Sequence, residues 1–312
     1  MTTMMSQEPT TNFTLRPIHD RLLRGTADTP VGLYHLHMAT AEQLCRLLRY
    51  SHGSLKAVKA RLKTLVDEGY LQADTIPTKY FRAPYYYTLT HQGMRYLESL
   101  GYDVSAAWRA SKEINKHALF VDHTLELNDV LIAAALLHRA NPRFHLDSFV
   151  HERTLKRHPY KARWQSGVST QTFTVIPDAF LHLRYQFADG RWQRWPVLLE
   201  HDRGTEEQRY FRRRIRAYSM LFKTGAYREL FQTRVLSIAF TTFQGEKRRD
   251  QMRAWAHAEL RATAEPESIV GLFYFSALPR PVPPGELFLG PIWMLPSDQP
   301  LPLRPLIGEA AS

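Results

Sequence analysis

The sequence predicts two folded units, an α+β unit in the first third of the chain followed by a larger α/β unit. Up to about residue 104, apolar residues at helical spacing alternate with one pair of strand-like runs. From about residue 145, strand-like runs alternate with helical patterns, which is typical of a mixed sheet covered by helices. Hydrophobic residues make up 44% of the 312 residues, enough to build a core in each unit.

The charge balance favours a polyanionic partner. Lys and Arg number 41 and Asp and Glu 30, so the formal net charge is +11. A membrane partner is not expected, because the longest strongly apolar stretch, 130–137, is far shorter than a bilayer-spanning helix. The N-terminus has no apolar signal core and Cys45 is the single cysteine, so we expect a cytoplasmic protein.

The first unit, expected over residues 15–104, has the element order of a winged helix-turn-helix domain. Thr40 and Gln43 form a capping-box pattern at the start of one helix, and Ser54 is the expected N-cap of the next. Gly69 is expected to end that second helix. A β-hairpin pattern and a helix capped by Thr90 follow, which completes the order helix, turn, helix, hairpin, helix.

Basic residues in this unit predict contact with double-stranded DNA. Lys56, Lys59 and Lys63 form one stripe on the second helix, which enters the major groove in domains of this kind. Arg82 gives the hairpin a basic residue beside its tyrosines. The alternative is a solvated lysine face on a domain that binds protein.

The second unit is expected over residues 108–278, beginning with a long helix that ends before Asn141 and Pro142. The basic segment 153–163 is interpreted as a loop, and the proline-rich tail 279–312 is expected to be extended. Helices are expected at about 205–224 and 246–262, and strands at 145–155, 173–185, 192–202, 234–243 and 269–278.

Three carboxylates are expected to converge at the ends of two neighbouring strands. Glu200 and Asp202 are two residues apart on one strand and therefore share a face, and Asp178 follows Pro177 near the neighbouring strand. Three hard oxygen ligands suit Mg²⁺ or Mn²⁺. A metal bound there would polarise a phosphate and lower the pKa of a water molecule.

The element order around these residues resembles the PD-(D/E)XK nuclease-like core. The resemblance implies that Asp178 and Glu200 are metal ligands and that a lysine stands two residues after Glu200. This chain has Asp202 at that position, which departs from the pattern.

The segment after Asp202, RGTEEQRYFRRRIRAY, predicts an amphipathic helix with five arginines. Arg214 lies at the edge of its apolar stripe and is expected to point toward the carboxylates, either as an ion-pair partner or as a clamp for phosphate. Four arginines fall on the opposite side: Arg209, Arg212, Arg213 and Arg216. Of these, Arg209, Arg213 and Arg216 are expected to contact the DNA backbone.

The combination of the two units resembles the replication-relaxation family of plasmids and other mobile elements. The segments that carry the resemblance, within about residues 17–245, are RLKTLVDEGYL, YYYTLTHQGMRYL, PDAFLHL and LLEHDRGTEEQRYFRRRIRAY. The resemblance implies a role in replication, relaxation or mobilisation, with DNA and a protein of the same element as partners. Family members often have lysine near the position of Arg214, so this chain also departs from its family there.

Three functions remain open from the sequence. The first is a DNA-binding protein whose nuclease-like unit is inert and acts as a platform for DNA or a partner protein. The second is an active Mg²⁺-dependent endonuclease that uses Asp178, Glu200 and Asp202. The third is a transcriptional regulator. Either a divalent ion or Arg214 must offset the repulsion among the carboxylates, and the two possibilities predict an active and an inert site.

Overall fold

A computed structural model shows a mixed α/β protein with a small antiparallel sheet near the N-terminus and a five-stranded mixed sheet after it. The structure describes residues 28–48, 54–75, 84–102, 118–156, 159–166, 169–299, 304 and 306.

The N-terminal elements build a compact group of helices around a three-stranded antiparallel sheet of order β1–β3–β2. They are α1 (Asp28–Leu36), β1 (Ala39–Thr40), α2 (Ala41–Leu47), α3 (Leu55–Asp67), β2 (Leu71–Thr75), β3 (Tyr85–Leu89) and α4 (His91–Ser99). The predicted hairpin strands are therefore present and pair with each other; Pro77 and Arg82 lie outside the described residues.

Local signals set most of the helix ends in this group. Thr40 and Gln43 make both hydrogen bonds of the capping box, at 3.2 and 3.1 Å, and the Thr90 hydroxyl accepts from the Gly93 amide at 3.1 Å. Gly69 has φ +80° just after α3, a conformation that favours glycine. Ser54 stands at the N-cap position of α3 as expected, but its backbone is helical and its side chain caps no amide, because side-chain capping needs extended backbone angles.

The larger part of the chain contains a five-stranded sheet of order β10–β9–β8–β7–β4 and a separate hairpin, β5–β6. Its elements are α5 (Ala118–Ala135), α6 (Leu137–Ala140), β4 (Phe144–His151), α7 (Glu152–Leu155), β5 (Tyr160–Ser166), β6 (Ser169–Val175), β7 (Ala179–Gln186), β8 (Trp192–Asp202), α8 (Gln208–Lys223), α9 (Tyr227–Leu230), β9 (Ser237–Thr242), α10 (Glu246–Ala262), α11 (Glu267–Val270), β10 (Phe273–Ala277) and α12 (Pro284–Leu289). Strands β8, β9 and β10 are parallel, whereas β7 is antiparallel to both β8 and β4.

Two predicted strands differ from those observed. The strand expected over 145–155 ends at His151, and α7 follows it. The run 173–185 is interrupted before β7, where Pro177 cannot donate a ladder hydrogen bond, so its two halves belong to different sheets. The basic segment interpreted as a loop contains the start of β5, whose short alternating pattern was missed.

Helix α5 joins the two groups of elements. The Gln43 side-chain amide donates to the Leu125 carbonyl at 2.7 Å, and the Asn128 amide donates to the carbonyls of Leu36 and Met38 at 3.1 and 2.7 Å. One hydrophobic cluster runs from Leu33 through α5 to the five-stranded sheet. The N-terminal group is therefore packed on the helix that covers one face of that sheet.

The proline-rich segment departs from the expected extended tail. Residues 284–289 form α12, which packs against α5, and Trp293 is 1% exposed with its indole N–H donating to the Leu287 carbonyl at 2.5 Å. The Arg253 guanidinium also donates to the Leu295 carbonyl at 2.9 Å. The segment belongs to the core because its apolar residues pack against α5 and the five-stranded sheet. Among the described helices, none is long and apolar enough to cross a membrane.

Candidate functional site

The predicted carboxylates lie at one edge of the five-stranded sheet. Strand β7 begins at Ala179 and its antiparallel neighbour β8 ends at Asp202, so Asp178 and Glu200 lie near the same edge. The backbone N–H of His201 donates to Asp178 Oδ2 at 2.6 Å. Asp178, Glu200 and Asp202 are all buried, so each needs a compensating partner.

Strand alternation directs successive side chains of β8 to opposite faces, as predicted. Glu200 and Asp202 contact the face covered by α8 and α10, whereas His201 contacts Glu126 of α5 on the other face. The two acids nevertheless have different neighbours, because α8 covers the first and α10 reaches the second.

Glu200 is held by two residues of α8. Arg214 Nη1 donates to one carboxylate oxygen at 2.8 Å, and the Tyr218 hydroxyl donates to the other. Arg214 also donates to Glu206 at 2.9 Å, so one guanidinium bridges two carboxylates. The expected orientation of Arg214 toward the carboxylates is thus what the structure shows, in the form of an ion pair.

Asp202 has an ion-pair partner of its own. Arg248, in the first turn of α10, binds it through two parallel hydrogen bonds, with Nε–Oδ2 at 2.7 Å and Nη2–Oδ1 at 2.9 Å. The expectation of one three-acid cluster is therefore corrected to an Asp178–Glu200 pair beside a separate Asp202–Arg248 ion pair. Sharing a face was not sufficient, since a partner from α10 occupies both oxygens of Asp202.

The Asp178 side chain lies between His123 and the His201 backbone amide. His123 Nε2 of α5 lies 3.1 Å from Asp178 Oδ1. Burial opposes the charge of Asp178, but His123, the His201 amide and Arg214 together lower its pKa. The contact also shifts the pKa of His123. Burial lowers that pKa, but the combined effect of the nearby acids, Asp178 first, is stronger, so the net shift is upward. Asp178 is therefore the ionised member of the acid pair.

The pKa of Glu200 is shifted in the opposite direction from that of Asp178. Burial raises its pKa to about 8, and repulsion from Asp178 adds to the shift. The 2.8 Å contact with Arg214 opposes this increase without cancelling it, because the carboxyl is only 3% exposed. Burial and the neighbouring Glu200 also raise the pKa of Tyr218 well above its ordinary value. Near neutral pH, the Asp178–Glu200 pair thus favours retaining one proton.

The carboxylates as arranged do not fit a divalent metal ion. Both oxygens of Asp178 are engaged by His123 and the His201 amide, and both oxygens of Glu200 by Arg214 and Tyr218. In the part of the chain that the structure describes, no group of three or more His, Cys, Asp and Glu side chains could hold a metal ion. The cations present are arginines and histidine, which neutralise the acids directly.

A second polar cluster lies on the α5 side of the sheet. His201 contacts Glu126 at 3.3 Å and Thr241 at 3.0 Å through its two ring nitrogens. Burial opposes ionisation of Glu126, but His201 and Arg280 lower its pKa to about 2. Arg280 donates to Glu126 and stacks over Phe243 at 4.1 Å. This cluster holds α5 and the segment after β10 against the end of β8.

The predicted DNA-contacting lysines lie on the outer face of α3. Lys56, Lys59 and Lys63 are exposed, while Val58, Leu62 and Leu65 are buried on the other side of the helix. Lys59 lies 3.3 Å from Glu42 and Lys63 lies 2.5 Å from Asp67. These are surface ion pairs between exposed side chains, which a phosphate can replace at small cost.

The arginines of α8 are not equivalent. Arg209 is exposed beside Glu207 and stacks on Tyr210, and Arg213 is also exposed. Arg216 instead lies 2.5 Å from Glu259 of α10, a carboxylate with a 1% exposed side chain, and Arg212 contacts the same group at 2.8 Å. The expected solvent position of Arg216 is wrong, because α10 packs along that side of α8.

Several residues of the site were not identified from the sequence. Helical periodicity puts Tyr218 in the apolar stripe of the helix, and its ring does pack there, but its hydroxyl reaches Glu200. By contrast, the sequence does crowd Asp122, His123 and Glu126 on α5, a spacing that indicates a polar face, and the structure places His123 beside Asp178. Nothing in the sequence around Arg248 indicates its partner, because the contact depends on how α10 returns to the sheet.

Comparison with known proteins gives one family. The family model described as replication-relaxation matches residues 32–233, which include Lys56, Asp178, Glu200 and Arg214 but not Arg248. Searches of curated proteins and of solved structures returned no match. The matched segment covers about two thirds of the chain and spans both the N-terminal helices and the acid pair. The chain therefore belongs to the replication-relaxation family, whose description indicates a role in replication or relaxation.

Proposed function

We propose that this protein binds double-stranded DNA of a plasmid or other mobile element and acts there in replication, relaxation or mobilisation. In this proposal the N-terminal group is a winged helix-turn-helix that reads the duplex. The second unit, nuclease-like in its element order, is a catalytically inert platform for DNA or for a partner protein of the same element. The observation that carries the proposal is the exposed lysine stripe on α3.

The order of elements supports this role for α3. Helix α2 packs against α3, the antiparallel strands β2 and β3 follow, and α4 closes the group. In helix-turn-helix domains the second helix of the pair lies in the major groove. Here that helix carries Lys56, Lys59 and Lys63 on its exposed face, with the small residues Ala57 and Ala60 beside them. The small residues permit close approach to DNA, and the lysines meet phosphates.

The test replaces all three lysines by alanine and measures binding to duplex DNA over a range of salt concentrations. We expect weaker binding and a shallower dependence of log K on log salt, by up to about three phosphate contacts. A matched control replaces three exposed cations outside this group, Arg228, Lys247 and Arg261, and changes the net charge equally. If the two triple variants lose the same affinity for duplex DNA, α3 is excluded as the helix that recognises the duplex.

The inert state of the second unit is proposed from the arginine contacts. Arg214 occupies one oxygen of Glu200 and Arg248 occupies both oxygens of Asp202. An arginine stays protonated and cannot act as a base, so these contacts stabilise the acids without activating water. The acid pair at the sheet edge supports an alternative for the second unit, an endonuclease in which Arg214 moves to a phosphate and a divalent ion replaces it.

Incubation with supercoiled plasmid separates these two possibilities. If the second unit is catalytically inert, the wild-type protein should show no metal-dependent nicking in Mg²⁺ or Mn²⁺. Nicking that requires Mn²⁺ and is lost in Asp178→Ala would establish the endonuclease instead. The variant serves as its own control for contaminating nucleases, because such an activity would survive the substitution.

We further propose that Arg209 and Arg213 contact the DNA backbone. Both are exposed on α8, whereas Arg212 and Arg216 contact the buried Glu259. Replacing Arg209 and Arg213 by glutamate should weaken non-specific duplex binding without changing the fold. Unaltered affinity at low salt would remove α8 from the DNA-binding surface.

A further inference from the structure

A row of polar and aromatic side chains crosses three strands on a part of the five-stranded sheet that lies outside the described apolar cluster under α8. The strand register places His145 of β4 opposite Arg184 of β7, and Arg184 opposite Arg194 of β8. The next pair along the same face is Gln186 with Trp192. We call this surface, formed by His145, Arg184, Trp192 and Arg194, the Trp192 platform.

The platform continues the face that α8 and α10 cover elsewhere. Phe180 of β7 and Leu198 of β8 pack under α8, and alternation along each strand puts Arg184 and Arg194 on that same face. The apolar cluster under α8 includes residues of β8, β9 and β10 but no residue of the platform. The other face of β4, β7 and β8 belongs to the core shared with α5 and the N-terminal group. The platform is thus on the opposite side of the sheet from α5.

The Trp192 ring has one face occupied and remains accessible. The Arg184 guanidinium lies 4.1 Å from the centre of the Trp192 ring, a stacking distance, and the His145 ring meets the indole edge-on at 5.3 Å. Trp192 is still 42% exposed, a large fraction for a side chain of this type. A flat ring could add to this stack on the exposed side of the indole.

The charges around the ring favour an anion. Arg184 lies 2.6 Å from Asp147, which neutralises part of its charge. Arg194 is exposed and forms no ion pair with any residue that the structure describes. Burial and nearby arginines lower the pKa of His145 and of His182, the next residue along this face of β7, so both imidazoles are neutral near pH 7. The fixed charges of the surface are therefore two arginines and one aspartate.

We propose that the Trp192 platform binds single-stranded DNA, with an unpaired base stacked on Trp192 and the adjacent phosphate held by Arg194. A duplex exposes only base edges and phosphates, whereas a base released from its partner offers a flat ring to an exposed aromatic side chain. The inference goes beyond the proposed duplex reading by α3 and does not depend on it. The two surfaces use different residues on opposite sides of the sheet.

The experiment measures fluorescence anisotropy of a labelled oligothymidylate of about 20 nucleotides, longer than many single-module binding sites, at low salt with the full chain. We expect Trp192→Ala to weaken binding about tenfold and Trp192→Phe to weaken it less, because phenylalanine keeps a stacking face. Arg194→Glu should weaken binding, and the matched charge reversal Arg228→Glu should have a smaller effect. Duplex binding by Trp192→Ala should stay at the wild-type level.

Three results would overturn the proposal. The first is absence of oligothymidylate binding by the wild-type protein. The second is equal affinity of the wild type and Trp192→Ala, provided that both show the same thermal unfolding. The third is an equal loss for Arg194→Glu and Arg228→Glu, which would indicate attraction by net charge alone. If Trp192→Ala does not fold, the comparison of the two arginine variants decides the question. Failure of duplex binding in the α3 lysine variant would leave these results unaffected.

Discussion

Replacement of Arg214 by methionine tests whether this arginine is the cation that stabilises the acid pair. Arg214 contacts Glu200 at 2.8 Å and Glu206 at 2.9 Å, and the side chains of these acids are 4% and 18% exposed. Removing one partner of a buried ion pair costs about 3–5 kcal/mol. The Arg214 side chain is itself 36% exposed and Glu200 can take up a proton, so we expect a smaller loss, about 2–3 kcal/mol.

The pH dependence of the free energy of unfolding gives a second readout. The pKa of Glu200 is raised from its ordinary value of 4.5 to about 8, so over this interval the folded protein retains a proton that the unfolded chain releases. This contribution to stability is complete below the lower value and is lost as pH rises through the higher one, by at most about 1.4 kcal/mol per pH unit. Without Arg214 the pKa of Glu200 rises further, so the decline should continue above pH ~8.

Urea unfolding of four proteins, the wild type, Arg214→Met, Glu200→Gln and the double variant, measures both effects. The free energy of unfolding of Glu200→Gln should decline less between pH 4.5 and about 8 than that of the wild type, because glutamine does not titrate. The double variant should be more stable than the sum of the single losses predicts, by about 1 kcal/mol or more, since Arg214→Met alone leaves the Glu200 charge unpaired and the double variant removes that charge. Strict additivity, or an Arg214→Met variant as stable as the wild type on both sides of pH ~8, would refute the reasoning.

Three further predictions follow from the packing. Thr40→Ala should lower the free energy of unfolding by about 1 kcal/mol in chemical denaturation, because the capping box of α2 loses its hydroxyl acceptor. Arg212→Glu should lower the melting temperature, since it places two carboxylates together at the buried Glu259. Arg213→Glu, at an exposed position of the same helix, should lower the melting temperature less, and equal losses would contradict the assignment of these faces. Trp293→Ala should cost about 3–5 kcal/mol by urea unfolding if the C-terminal segment is core, and under about 0.5 kcal/mol if it is a loose tail.

The local features of this protein were predictable from the sequence because their causes lie within a few residues. The capping box at Thr40, the end of α3 at Gly69 and the helix over 246–262 depend on neighbouring side chains and on periodicity. The common face of Glu200 and Asp202 follows from strand alternation, and the inward position of Arg214 follows from the helical wheel.

Only the tertiary structure decided which acidic residue forms an ion pair with which arginine. Asp202 pairs with Arg248 and Arg216 with Glu259, and each pair joins residues more than 40 positions apart that meet because α10 returns along α8. The burial of Trp293 likewise depends on the position of α5 and the sheet. A sequence records the period of each element but not its neighbour, and long-range ion pairs follow from packing. The sequence therefore determined that acids and arginines share this site, and the packing of α8 and α10 decided that the arginines hold the acids.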